Sequence, residues 1–98
     1  MLLRHADKKL QRLDEDPSYN AGLAENVVTA LRRRLQAIRA AVNENDLRAL
    51  KSLHFEKLKG DRKEQCSMRI NDQFRLVFTI EKGKQGNTLV ILGIEDYH

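Results

Sequence analysis

The sequence predicts an α+β domain in which a small antiparallel sheet packs on N-terminal helices, in the order β-α-α-β-β-β. Three observations carry this. The apolar residues Leu23, Val27, Leu31, Leu35, Ile38 and Val42 recur at steps of three and four, which makes one stripe along a long helix. From Gln65 the period changes to two, the repeat of a strand with unlike faces. The stretches NDQ and KGKQGN then separate alternating segments too briefly for a crossover, so the last three strands are antiparallel neighbours.

Taken in order, Met1 to Arg4 reads as a short first strand, and HADKKLQRLDEDP as a helix of two or three turns that stops before Pro17. DPSYN is a turn. The stretch AGLAENVVTALRRRLQAIRAAVNEN is the long helix, with Asn43 to Asn45 as its exit. Arg32, Arg33, Arg34 and Arg39 lie on or beside its polar side and read as a solvated charged face. Asn45 or Asp46 caps a further short turn, DLRALKSL. In the first late strand Cys66, Met68 and Ile70 oppose Gln65, Ser67 and Arg69. In FRLVFTIE, Phe74, Leu76, Phe78 and Ile80 oppose Arg75, Val77, Thr79 and Glu81, which puts Arg75 on the less apolar face. TLVILGIEDYH is the last strand.

A chain of 98 residues suits one domain with one core, and 41% hydrophobic with 33% charged residues is a globular composition. No run approaches the roughly 18 apolar residues of a membrane span, and MLLRHADKKLQRL lacks the apolar centre of a signal peptide. A cytoplasmic protein without a membrane partner is expected. Cys66 is the sole cysteine, so there is no internal disulfide and no cysteine-based zinc set; its strand context predicts a buried thiol. The net charge of +4 is modest, but its distribution is uneven. Lys51, Lys57, Lys59, Arg62, Lys63, Arg69 and Arg75 stand against Glu56, Asp61, Glu64 and Asp72 in one segment, the best candidate for a phosphate-facing surface.

Candidate chemistry falls in three places. In a strand, Asp96 and His98 project to one face while Tyr97 points away, and a carboxylate beside an imidazole can move a proton near neutral pH. Arg75 can salt-bridge to an acid such as Glu95 or Asp96, or brace a phosphate with its planar fork. LKGDRK places Lys59, Arg62 and Lys63 around a glycine, without the two-glycine frame and GK[ST] ending of a phosphate-cradling P-loop. Glu56 and His54 precede it on one face of any extended segment and read as surface groups.

LKGDRK, SMRINDQFRLVF and the closing EDYH, in that order, resemble the HigB-type toxins of the RelE/ParE superfamily of bacterial toxin–antitoxin proteins. The likeness covers Leu53 to His98 closely, and the long helix fits more loosely. It implies a ribosome-dependent endoribonuclease that cuts mRNA in the decoding site. The implied partners are the ribosome, mRNA and a HigA-like helix-turn-helix antitoxin, with operator DNA reached only through the antitoxin complex. Lys59 matches the lysine of LKGDR, Arg69 and Arg75 the basic residues of the central strands, and Asp96, Tyr97 and His98 the terminal triplet. Relatives with HPLKG carry a histidine where this chain has Glu56, and His54 is not aligned with it. The glycine common after GDRK is Glu64 here.

The implied chemistry uses no metal and no cofactor, because RNA supplies its own nucleophile in the 2′-hydroxyl. Asp96 with His98 would take one proton and give another, while Arg75 and Lys59 stabilise the phosphorus centre. Tyr97 would stack on a base or position the 2′-hydroxyl. Arg62, Lys63, Arg69 and Lys57 would hold RNA backbones. Two other readings share the fold: a ParE-like toxin that inhibits gyrase without cutting RNA, and an antitoxin-binding corepressor module without activity.

Overall fold

In the computed structural model, which describes residues 1–62 and 64–96, the strand β1 (Leu2–His5) is followed by the helices α1 (Lys8–Glu15), α2 (Glu25–Ala40) and α3 (Glu44–Ala49). The strands β2 (Glu56–Lys57), β3 (Cys66–Arg69), β4 (Phe74–Glu81) and β5 (Thr88–Asp96) complete the domain. They form one five-stranded sheet in the order β1-β5-β4-β3-β2. The α+β class and the three late antiparallel strands are as the sequence predicts. The two-residue β2 is an addition, and DLRALKSL divides between the end of α3 and a turn of 3-10 helix over Lys51–Leu53, with Asn43, rather than Asn45 or Asp46, as the cap of α3. One relation differs: β1 lies parallel to β5, with Leu2 across from Thr88 and His5 across from Ile91. A parallel pair requires a long crossover, and everything from α1 to β4 supplies it.

Local chemistry sets the helix ends. Asp7 Oδ1 accepts the Leu10 N–H at 2.8 Å and so starts α1. α2 ends at Ala41, whose extended backbone breaks the helical phase, so Val42 leaves the predicted stripe and is 77% exposed while Ala41 is buried. Leu23 lies just before the helix and is half-buried. Leu10, Leu13, Leu31, Leu35, Ile38 and Leu47 pack on the sheet face that carries Met68, Leu76, Phe78, Leu89 and Ile91. Phe55 meets Phe78 edge-on at 5.4 Å between ring centroids. Cys66 is buried as predicted, and burial pushes its thiol up, away from thiolate chemistry. Among the described residues no helix is long and apolar enough to cross a membrane.

Three arginines of α2, Arg32, Arg34 and Arg39, are fasteners, while Arg33 is exposed as the sequence predicts. Arg32 donates to the carbonyls of Leu13, Asp16, Pro17 and Tyr19, tying the α1–α2 connection to the helix. Arg34 Nε donates to the Arg69 carbonyl at 2.7 Å and holds the end of β3. Arg39 grips Asp14, which also meets His5 Nε2 at 2.9 Å. Arg39 chiefly, with His5, holds the Asp14 carboxyl below its ordinary value of 3.8 against the opposing effect of burial. A depressed folded-state pKa contributes stability that is present above pH 3.8 and is lost as pH falls through the folded value. Asp14→Asn is therefore expected to cost about 2 kcal/mol at neutral pH and to flatten stability loss below that point. Urea denaturation at several pH values reads both effects.

Candidate nuclease face

The second face of the sheet carries the polar residues. β4 turns Arg75, Val77 and Thr79 away from the helices, β3 turns Ser67 and Arg69, and the register aligns them in rows. Arg69, Arg75 and Glu95 form one row; Glu56, Ser67, Val77 and Gly93 form the next. Two arginines directly across from each other repel. Each is compensated: Arg69 contacts Asp72, and Arg75 lies 3.9 Å from Glu56.

Arg75 is only 7% exposed, so its cation has to be anchored on several sides. Its Nε donates to Ser67 Oγ at 2.9 Å, and its Nη2 donates to the His54 carbonyl and, at 3.4 Å, to the Ser67 carbonyl. Ser67 is itself buried, which makes this a rigid mount rather than a surface contact. His54 ends a turn of 3-10 helix over Lys51–Leu53 in the left-handed conformation, φ 46° and ψ 54°. The chain reverses there and delivers Glu56 to the Arg75 face. The predicted single extended face for His54 and Glu56 thus does not form; the His54 carbonyl holds Arg75 while its imidazole is exposed.

The LKGDR segment folds over the same face. Gly60 has φ +69°, a left-handed position where a side chain would be strained, and a short turn of 3-10 helix, Gly60–Arg62, follows. Arg62 then holds Glu95 with both nitrogens of its fork, Nη1 to Oε1 at 3.0 Å, while its Nε donates to Gln65 at 3.0 Å. Thr79 donates to the Glu64 carbonyl at 2.9 Å. The acid Glu95, which faces Arg75 in register, is gripped by Arg62, while Glu56 lies 3.9 Å from Arg75. Lys59 is exposed at the start of this loop.

Two candidates fall elsewhere. Lys57 pairs with Cys66 and belongs to the helix side, where it lines a cleft with Arg48 and Phe55. Asp96 pairs with Phe74, also on the helix side, and accepts from Gln73 Nε2 at 3.1 Å. Lys63, Tyr97 and His98 lie outside the described residues. Among the described residues, no group of three His, Cys, Asp or Glu side chains is placed to hold a metal ion. Nothing in the sequence singles out Ser67; its place one row from Arg75 follows only from register.

A five-stranded sheet covered by helices is shared with solved bacterial toxins. The YoeB/ParE toxin from Agrobacterium tumefaciens superimposes with a TM-score of 0.62 over all of both chains, at 18% identity. The YoeB–YefM complex from Staphylococcus aureus gives 0.58, covering all of this chain and 98% of that one, at 20% identity. Residues 3–98 match the HigB-like toxins, described as the RelE-like toxins of the type II toxin–antitoxin system HigB, and the chain belongs to that family. It is 38% identical to Toxin HigB-1 of Vibrio cholerae over 88 residues, which cover 90% of this chain and 93% of that protein.

Proposed function

We propose that this toxin is an endoribonuclease that cuts mRNA on the ribosome and is held inactive by a HigA-like antitoxin. The observation that carries the reading is the mounted Arg75, a nearly buried guanidinium fixed by Ser67 and the His54 carbonyl beside the carboxylate of Glu56. Fixed charge beside a proton acceptor is what phosphodiester cleavage by a 2′-hydroxyl requires. The 2′-oxygen bonds to phosphorus, the bond from phosphorus to the 5′-oxygen breaks, and the products are a 2′,3′-cyclic phosphate and a 5′-hydroxyl.

Glu56, its side chain half-exposed, takes the proton of the 2′-hydroxyl. Arg75 stabilises the negative charge that grows on the phosphoryl oxygens, and Lys59 adds a second cation. His98 supplies the proton to the departing 5′-oxygen, an exchange suited to an imidazole near neutral pH. Tyr97 stacks on a base or positions the 2′-hydroxyl. Asp96, on the helix side, serves as a positioning residue at the end of β5 through Gln73 rather than as a partner of Arg75. No metal is required for these steps.

Mapping mRNA 5′ ends after brief induction tests the reading: new ends in codon frame are expected, and they should vanish when translation initiation is blocked. Unchanged ends with loss of DNA supercoiling would replace it with gyrase inhibition. Ribosome binding supplies a further prediction. Lys59, Arg62 and Lys63 are assigned to phosphate contacts, so affinity should fall as salt rises, and changing all three to alanine should flatten that slope by about 2 to 3 in log–log units. Arg62→Ala alone has a smaller effect on folding, since its pair with Glu95 is partly solvated and worth at most about 1 kcal/mol. Wild-type salt dependence in the triple variant would remove this loop from the ribosome interface.

A further inference from the structure

We infer that the cleft between α3 and the β2 edge is a nucleotide subsite that takes one guanosine of an RNA strand, its base laid on Arg48 and its Watson–Crick edge read by Glu64. The cleft has a volume of about 250 Å³, and Phe55, Cys66 and Ile80 form its apolar floor. Arg48 stands over the Phe55 ring, its guanidinium carbon 4.3 Å from the centroid, and Phe55 in turn meets Phe78 edge-on. One face of the guanidinium plane is thereby held on an aromatic ring. Arg48 is exposed and lines the cleft, so its other face is a flat cationic platform of the kind on which RNA bases stack.

Charge sorts the walls. Lys82 and Asn87 hold the Glu44 carboxylate at 3.1 and 2.7 Å, which closes one rim and neutralises that acid. Of the charged lining residues this leaves Arg48 and Lys57 against Glu64. Both cations reach the floor: burial pushes the Cys66 thiol up, and their positive charge opposes that push. A phosphate is favoured beside Lys57. Thr79 donates to the Glu64 carbonyl at 2.9 Å, so the backbone of Glu64 is fixed while its exposed side chain lines the cleft. A carboxylate only accepts, and guanine alone among the RNA bases sets two N–H donors, N1 and N2, side by side on its Watson–Crick edge. The other three set acceptors beside a single donor group. Glu56 and Lys57 are consecutive in β2, the last strand of the sheet, so the cleft and the Arg75 face lie on two sides of one exposed edge. An RNA strand cut at Arg75 needs only to cross that edge to place a neighbouring nucleotide in the cleft. The choice of RNA as occupant rests on the nuclease reading, whereas the shape and charge of the cleft do not.

Guanosine 5′-monophosphate titrated into the full toxin and followed by NMR tests the site without any cleavage. Saturable shifts are expected at the Arg48 side chain, the Phe55 ring and the Ile80 methyls, with uridine 5′-monophosphate binding about tenfold more weakly. Arg48→Ala is expected to weaken guanosine monophosphate about tenfold through loss of the stacking plane, and Arg48→Lys, which keeps the charge, to recover little of it. Glu64→Ala should bring the two nucleotides within about twofold of each other at an unchanged melting temperature. Two further measurements identify the RNA. An mRNA nucleotide predicts that Glu64→Ala loses a guanosine preference beside the mapped cut sites at wild-type ribosome affinity; a ribosomal one predicts that Arg48→Ala lowers ribosome affinity with the cut-site sequences unchanged. Absence of shifts at the cleft, shifts confined to the Arg75 face, or equal binding of the two nucleotides by the wild-type toxin overturns the assignment. So does perturbation of these signals by the antitoxin but not by the nucleotide, which would give the cleft to a protein. Nucleotide binding in the cleft of a toxin that leaves mRNA uncut would keep the subsite and remove the nuclease reading instead.

Discussion

Arg75→Ala is expected to lower ribosome-dependent cleavage by about 10²- to 10³-fold, the loss that follows removal of one preorganised donor from a developing oxyanion. Arg75→Lys keeps the charge but cannot reach Ser67 and the His54 carbonyl with one planar fork, so it should recover only part of the rate. Because Arg75 is nearly buried, the alanine variant also leaves Ser67 and two carbonyls short of a donor, at about 1–3 kcal/mol. Glu56→Gln separates chemistry from stability. Glu56 is half-exposed at 3.9 Å from Arg75, and glutamine preserves its shape without accepting a proton. Its rate should fall about 10²-fold or more, with the melting temperature little changed. Wild-type cleavage by both Arg75→Lys and Glu56→Gln in a reconstituted ribosome assay would remove this pair from the chemistry.

Alternation alone makes the core of the sheet legible in the sequence. Cys66, Met68 and Ile70, then Phe74, Leu76 and Phe78, face the helices because side chains two apart share a face, and nothing in β3 or β4 interrupts that count. The family is legible from LKGDRK, the RINDQFR strand pair and EDYH taken together. Register beyond a single strand is not. β5 contains a bulge: Phe78 pairs with Ile91 and Val77 with Gly93, so Leu92 is an extra residue. Leu89 and Ile91 face the core, but past the bulge Ile94 takes that side, with Asp96 exposed beyond it, and Glu95 arrives on the Arg75 face. Uninterrupted counting would put Asp96 there instead.

His54 hides Glu56 in the same way. A non-glycine residue in the left-handed region turns the chain without a glycine to announce it. The partnership of β1 with β5 is equally silent, since parallel pairing across some 80 residues leaves no local pattern. Ser67 is an ordinary strand residue in the sequence and becomes the anchor of Arg75 only through its neighbour strand.

Removing Tyr97 and His98 together is expected to abolish cleavage while leaving a folded protein. The described part of β5 ends with Asp96 paired to Phe74, and the apolar residues that bind β5 to its neighbours, Leu89, Val90 and Ile91, all precede the deletion. Stability should therefore change little, whereas a missing proton donor costs roughly 10²- to 10⁴-fold. His98→Gln should reproduce most of the loss, and Tyr97→Phe less of it if stacking on a base is the role of the ring. Asp96→Asn is the informative contrast. Its carboxylate lies on the helix side and accepts from Gln73, so the amide should retain the position and most of the activity. Growth arrest by the truncated protein, at soluble expression and ribosome binding equal to wild type, would take the terminal residues out of the reaction. Inactivation by Asp96→Asn as complete as that by His98→Gln would instead return Asp96 to proton transfer, against the separation of its side chain from Arg75 by the sheet.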